Sequence, residues 1–264
     1  MKSLLGRIYR ADPVLAVTGW IHVFFLFAAF MAAPWDSREI LGINPWIKPI
    51  KFAASITIYL WTLALFMEHL PGPKAVKRLI RWGVSLLMLG EIACICLQSA
   101  RGVPSHFNVD KPFDASIFGL MGLMILANTL LIALFLFFYV WEFIDIDRTV
   151  LMGIRFGLIL FMFGSLEGMI IVLNQAHAIG VPDGGPGLPF LNWATNAGDL
   201  RVAHAVGLHA MQVLPLAALA ISRLWKNSSK SLQMGLLALF GILYIGVFVV
   251  AFRMAVAGQP IIAM

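Results

Sequence analysis

Glu91, a carboxylate inside a long apolar stretch, begins a row of polar residues on one face of a predicted helix. The row continues at intervals of 3, 7 and 10 residues, with Cys94, Gln98 and Arg101. A charged group at such depth in a membrane costs roughly 3 kcal/mol or more. Glu91 is therefore predicted to face the interior of a helix bundle and to be paired or protonated there.

Glu167 begins a second row of the same design, which continues at intervals of 7 and 10 residues with Asn174 and His177. Both rows run from a carboxylate through an amide to a basic group near the end of the apolar stretch. Acids inside a membrane are functional by default, so a functional role is the preferred interpretation. In the alternative, each glutamate is neutral and bonds to a neighbouring helix.

A third polar face follows Asp199. At 100° per residue, four of the next side chains share an arc of about 140° on one helix, namely Arg201, His204, His209 and Gln212. Histidine is the commonest metal ligand in proteins. A site on this helix is preferred over the alternative, in which the histidines are hydrogen-bonded core residues.

The chemistry that suits these residues is haem or metal binding. Two histidines five positions apart are too widely spaced to hold one ion from one helix, since the usual spacing is i, i+4. His204 and His209 are instead predicted to ligate haem together with another helix, or to hold a transition metal ion with Glu91 or Glu167. The same four residues are candidates for redox or catalytic proton transfer.

Five further residues are predicted to surround the outer mouth of this site. Asp199 and Arg201 are assigned to catalysis, and together with Arg101 they are predicted to pair with charge at the mouth. Gln98, Arg101 and His106 are assigned to cofactor binding, with His106 folding over the mouth as a lid or ligand. For His106 the alternative is a solvated turn residue.

The elements that must position these residues are membrane-spanning helices. The chain of 264 residues is 61% hydrophobic and 12% charged, whereas about a quarter of a soluble domain is charged. A spanning helix needs about 20 mostly apolar residues. Seven stretches qualify, at 12–34, 48–70, 79–100, 114–140, 149–175, 200–224 and 231–257. The sequence therefore predicts an all-α integral membrane bundle, in one transmembrane domain over residues 1–264.

Basic residues predict the orientation of this bundle. Eleven Lys and Arg flank the spans on the side of the N-terminus, from Lys2 to Lys230, and six flank them on the other side. Because basic flanks stay cytoplasmic, the N-terminus is predicted inside and the C-terminus outside. The net charge of +6 is explained by anionic inner-leaflet lipid rather than by nucleic acid. The predicted location is the inner (plasma) membrane.

The third to sixth spans carry signs of a duplicated helical hairpin. Gly83 and Gly90 in the third span are matched by Gly157 and Gly164 in the fifth, at the same spacing. Asp114 in the fourth span corresponds to Asp199 in the sixth. The glycines are predicted to let the helices approach closely.

Three segments resemble motifs of a bacterial family of small multi-pass membrane proteins, namely residues 44–52 (NPWIKPIKF), 105–108 (SHFN) and 198–209 (GDLRVAHAVGLH). The resemblance covers most of the chain. It implies a seven-helix membrane protein, with no activity attached.

Two other functions compete with a haem or metal site. A proton-coupled or small-molecule transporter would use the same acids and imidazoles as substrate crosses. Transport needs access from both sides, however, and the inner half of the predicted bundle is almost purely apolar. A third alternative is a subunit that binds lipid or assists assembly and catalyses no reaction. It would account for the many apolar residues, but it gives Glu91 and Glu167 no role.

Overall fold

The computed structural model describes residues 3–263, so Lys2 lies outside the described part of the chain. Within that part the fold consists of eight α-helices, one 3₁₀ turn (Ala33–Trp35) and one two-stranded hairpin. The helices are α1 (Leu4–Ala11), α2 (Pro13–Ala32), α3 (Ile47–Met67), α4 (Lys74–Arg101), α5 (Pro112–Trp141), α6 (Arg148–Asn174), α7 (Leu200–Leu224) and α8 (Lys230–Val256). The antiparallel strands are β1 (Ala178–Ile179) and β2 (Gly198–Asp199).

The predicted fold class is confirmed. Helices α2 to α8 are each long and apolar enough to cross a membrane, and each coincides with one predicted span to within a few residues. They indicate a multi-pass membrane protein in a lipid bilayer. The chain divides into two compact units, residues 3–135 and 136–263, so α5 begins in unit 1 and ends in unit 2.

Unit 1 is built around the close packing of α2 on α3. A Cβ at Gly19 of α2 would overlap the indole of Trp61 on α3, so only glycine leaves room for this ring. Asp12 starts α2 by accepting the amide hydrogens of Val14 and Leu15, both at 3.1 Å. The other carboxyl oxygen of Asp12 accepts a hydrogen bond from Nε of Arg81 on α4 at 2.6 Å. This hydrogen bond connects α4 to the start of α2.

Unit 2 is built around an antiparallel contact between α6 and α7. Four glycines on one side of α6 meet α7 in order along its length, at Gly153, Gly157, Gly164 and Gly168. A Cβ at Gly164 would lie 2.7 Å from backbone atoms of Gly207 and Leu208. The two backbones can approach this closely only because no side chain intervenes, as is common between membrane helices.

Helix α8 completes unit 2. The hydroxyl of Tyr244 on α8 donates to the carbonyl oxygen of Val206 on α7 at 2.8 Å. The hydroxyl of Thr149 on α6 donates to Oε1 of Gln233 on α8 at 3.1 Å. Lys230 forms an ion pair with Asp147, the residue whose side chain caps α6.

Candidate functional site

The predicted site residues are divided between the two units. Unit 1 contains Glu91, Gln98, Arg101 and His106. Unit 2 contains Glu167, Asp199, Arg201, His204 and His209.

Glu91 lies in the interior of unit 1, as its row predicts. It is 1% exposed, and the side chains of Cys94 and Gln98 on the same row are also buried. Its Oε2 has no hydrogen-bond partner among the described residues. The ammonium group of Lys48, at the outer start of α3, lies within electrostatic range of this side chain.

Gln98 and Arg101 form a polar link between α4 and α5. Nε2 of Gln98 donates to Oδ1 of Asp114 at 2.9 Å, and Nη1 of Arg101 donates to both Gln98 and Asp114. The guanidinium carbon of Arg101 also lies 4.7 Å from the ring centroid of Phe113. The charged partner of Arg101 is thus Asp114.

His106 lies beside Lys48, within an aromatic cluster. Its Nδ1 lies 3.1 Å from Nζ of Lys48 and 3.2 Å from the hydroxyl of Ser105. The nearest rings are those of Phe52, Phe107 and Phe118, with centroids 5.8 to 6.3 Å away. Since Lys48 can only donate, Nδ1 is the accepting nitrogen of this imidazole.

His204 occupies the outer end of the α6–α7 contact. Its ring lies opposite Gly168, where a Cβ would come 2.9 Å from Cε1 of the imidazole. Its Nδ1 lies 2.8 Å from the carbonyl oxygen of Gly164. A carbonyl can only accept, so Nδ1 carries the hydrogen and Nε2 presents its lone pair. In the described chain no hydrogen bond to Nε2 is seen.

Glu167 is adjacent in sequence to Gly168, and one helical turn from Gly164. It is 2% exposed, and both of its carboxyl oxygens are buried without a hydrogen-bond partner among residues 3–263. His209 lies on α7 within electrostatic range of His204. A buried carboxyl group and two imidazoles therefore belong to the same helix pair.

The polar face predicted for α7 is half-buried, not at the centre of unit 2. The opposite face, with Ala203, Ala210 and Leu214, is the fully buried one. Small apolar residues take the centre because α6 approaches there backbone to backbone. The histidines are consequently at the edge of the helix contact.

Asp199 and Arg201 form an ion pair with each other. Nε of Arg201 lies 2.9 Å from Oδ1 of Asp199, and Nη2 lies 2.5 Å from Oδ2. Asp199 also caps α7 by accepting the amide hydrogen of Arg201 at 2.9 Å, and it accepts the amide hydrogen of Ala194 at 2.8 Å. The pair thus fixes the loop before α7.

The predicted row from Glu167 to His177 does not continue to its last member. Helix α6 ends at Asn174, because Gln175 adopts a left-handed conformation with φ of 54°. His177 lies beyond this turn, with its Nδ1 2.6 Å from Oδ2 of Asp183. Burial raises the pKa of Asp183, but hydrogen bonds and charge from His177 and the amide of Ala178 outweigh burial, so the pKa lies below its usual value of 3.8.

Metal binding by protein ligands alone finds no support within residues 3–263, where no group of three or more His, Cys, Asp or Glu could hold an ion. His22, another histidine inside a span, has both ring nitrogens close to carbonyl oxygens. The distances are 2.8 Å to Thr18 and 3.2 Å to Met88. This ring serves packing, because neither nitrogen is open to a ligand.

Comparison of the chain with known protein families, curated proteins and solved structures gives no match. The resemblance to a bacterial membrane family therefore stays a prediction. What the chain could do follows from its own geometry.

Proposed function

We propose that unit 2 binds haem through His204, and that the protein is a membrane-bound redox protein. The observation that carries this proposal is the hydrogen bond from Nδ1 of His204 to the carbonyl of Gly164. Histidines that ligate metals almost always donate their other ring hydrogen to a carbonyl or carboxylate, which fixes the tautomer and the ring orientation. The hydrogen bond leaves Nε2 as the ligating atom.

Haem suits this arrangement better than a metal ion held by protein ligands alone. A structural or catalytic metal site in a protein needs three or four converging side chains, and the described residues offer no such group. A porphyrin supplies four ligands itself and needs one or two from the protein. When bound, haem would supply one-electron chemistry at the iron.

Glu167 and His209 are proposed as proton carriers beside the haem. His209 is five residues from His204 on one helix, so the two rings cannot reach opposite faces of one porphyrin. Glu167 has two buried oxygens without partners, and a carboxyl group in such a place exchanges a proton more easily than it holds a fixed charge. Both residues would couple proton movement to a change in iron oxidation state.

The test is an ultraviolet-visible spectrum of the detergent-purified protein, oxidised and then reduced with dithionite, from cells supplied with a haem precursor. We expect stoichiometric haem and a Soret band that shifts on reduction. His204→Gly should lose the band, and added imidazole should restore it by occupying the vacated space. His209→Ala should keep the band, because His209 is not the iron ligand.

Two further variants distinguish ligation from folding. Gly168→Ala would place a Cβ 2.9 Å from the imidazole of His204, so haem content should fall while the protein stays monodisperse. His69→Gly, at the end of α3 where the side chain is one-third exposed, should leave the spectrum unchanged. A colourless protein that also fails to take up added haemin would refute the proposal.

A second candidate function is proton-coupled transport, which the two unpartnered oxygens of Glu167 favour. Ionisable groups inside membrane helices commonly belong to proton pathways. A carbodiimide such as dicyclohexylcarbodiimide labels protonated carboxyl groups in apolar surroundings, so mass spectrometry should find Glu167 labelled and Glu142, in an exposed turn, unlabelled. Transport would replace haem binding if proteoliposomes of a haem-free protein move protons and Glu167→Gln stops them.

The proposed setting is the plasma membrane, with the N-terminus in the cytoplasm and the mouth of the site outside. This orientation rests on the bias of basic residues. It places the outer ends of α6 and α7, where His204 lies, on the side away from the cytoplasm.

A further inference from the structure

A groove on the surface of unit 1 lies between α2 and α4, far along the sequence from the proposed haem ligand. Its volume is about 360 Å³, and its walls are mostly apolar, with Val17 and Ile21 on one side and Leu86 and Leu89 on the other. Thr18 and Ser85 also line it, and their hydroxyls are hydrogen-bonded to each other at 3.1 Å. The lining residues run from 13 to 21 on α2, which at 1.5 Å per residue makes the groove about 12 Å long. That length fits part of one extended acyl chain.

A positioned arginine is the chain neighbour of a residue that lines one end of the groove. Pro13 and Trp82 line this end, and their chain neighbours Asp12 and Arg81 form an ion pair through Nε of Arg81 at 2.6 Å. Asp12 is fully buried, whereas the Arg81 side chain is 31% exposed. Because Nε alone binds Asp12, both Nη groups of Arg81 stay available to another acceptor in the described chain.

Other features of this end also suit an anionic lipid. Arg78 precedes Arg81 by three residues and Trp82 by four, so it lies on the same face of α4, one turn nearer the start of that helix. Trp82 is 50% exposed, and tryptophan is enriched at the level of lipid headgroups. Residues 3–12 and 68–81 together hold six Lys or Arg against two acids, an excess that complements a phosphate.

We propose that this groove binds one phospholipid with an anionic headgroup. An acyl chain lies between α2 and α4, and the Nη groups of Arg81 donate to the phosphate while Asp12 fixes the guanidinium. Arg78 adds charge at the headgroup. The planar fork of arginine suits this double role, because one edge can bind a carboxylate while other N–H groups bind a phosphate.

The experiment is native mass spectrometry of the full-length protein in mild detergent, titrated with phosphatidylglycerol or with phosphatidylcholine of the same acyl chains. We expect one phosphatidylglycerol to bind at about tenfold lower concentration than phosphatidylcholine, a factor that one charge-assisted hydrogen bond can supply. Equal binding of the two lipids would overturn the proposal, because it would mean non-specific annular lipid.

Variants separate the two halves of the site. Arg81→Lys keeps a cation beside Asp12 but loses the fork, and Leu86→Trp fills the groove without touching the ion pair. Each should weaken phosphatidylglycerol binding about tenfold. Lys226→Gln, an exposed basic residue of unit 2, and Leu123→Trp, 66% exposed on α5, are the matched controls and should bind as wild type. Unchanged binding by Leu86→Trp would overturn the proposal even if Arg81→Lys fails to fold.

Discussion

At the scale of single residues, the buried acids of the two units have different neighbours. Glu91 has the cation of Lys48 within electrostatic range, whereas Glu167 shares its helix pair with His204 and His209. Among the described residues, one carboxyl oxygen of Glu91 and both carboxyl oxygens of Glu167 are buried without a hydrogen-bond partner. This difference is why the proposed redox site is in unit 2, although the two polar rows look alike in the sequence.

Asp183 gives a prediction about acid stability. Its pKa is lowered in the folded protein, so its contribution to stability is complete above the ordinary value of 3.8 and is lost as pH falls toward the folded value. Asp183→Asn should cost about 1–3 kcal/mol near neutral pH, because it removes a charge that accepts hydrogen bonds from His177 and Ala178. The measurement is the free energy of unfolding against pH.

The matched control for this experiment is Asp110→Asn, an exposed loop substitution that should leave the curve unchanged. The difference between wild type and Asp183→Asn should shrink as pH is lowered below 4 or so. A difference that grows on acidification would contradict the assignment of the ion pair with His177.

Polar residues were predicted well where they recur on one helix face, and poorly where partners come from distant positions. Burial of Glu91 and Glu167 followed from helical spacing alone. The ion pair of Asp12 with Arg81 does not follow from the sequence, in which Arg81 is one of the basic residues that flank a span. The hydrogen bond from the hydroxyl of Tyr59 to Oδ1 of Asn128, at 3.0 Å, does not follow from the sequence either. Spacing within one helix carries no information on which helix lies alongside.

At the scale of elements, the glycines of α6 set how closely α7 can approach. Gly164→Ala would place a Cβ 2.7 Å from the backbone of Gly207. Backbone atoms cannot rotate away, so the helices must separate, and overpacking of this kind costs about 1–3 kcal/mol or more. The melting temperature in detergent should fall clearly.

Gly246→Ala on α8 is the control for this prediction, since no atom lies within 4 Å of the added Cβ. It should be neutral, or stabilise by roughly 0.5–1 kcal/mol through the higher helix propensity of alanine. Equal melting temperatures for the two variants would mean that α6 and α7 are not packed as described.

The long helices were predictable from apolar length, but the short elements were not. Helix α1 is only eight residues long, too short to be recognised by a search for membrane spans. The pairing of β1 with β2 joins residues 19 and 21 positions apart, through only two residues on each strand. Helix α4 begins at Lys74, earlier than the apolar stretch predicts, because its first turns are basic and amphipathic.

At the scale of the whole molecule, the distribution of basic residues predicts an orientation that fusion reporters can test. Alkaline phosphatase, which is active only outside the cytoplasm, should be active when fused after the last helix. It should be inactive when fused after Lys226, in the turn between α7 and α8. Fluorescent protein fusions at the same two points should give the opposite pattern, and agreement of both reporters with the reverse orientation would contradict the prediction.

The proposed hairpin duplication stays a prediction, although the paired glycines behave alike. Gly83 and Gly90 of α4 accommodate the side chains of Leu131 and Met124 on α5, whereas Gly157 and Gly164 of α6 meet the backbone of α7. In both hairpins the glycines face the following helix. Side chains separate the two helices of the first hairpin, whereas the helices of the second are in direct backbone contact. If the two hairpins arose by duplication, their helices have since come to pack at different distances.

The division of the chain near residue 135 also bears on biogenesis. Each compact unit is a continuous half of the polypeptide, so unit 1 has left the ribosome before most of unit 2 is made. Its packing includes Gly19 against Trp61 and Asp12 against Arg81, which are contacts made within the first half of the chain. We therefore expect insertion into the membrane to proceed as two successive folding events, in which the contacts of unit 1 form before α8 is translated.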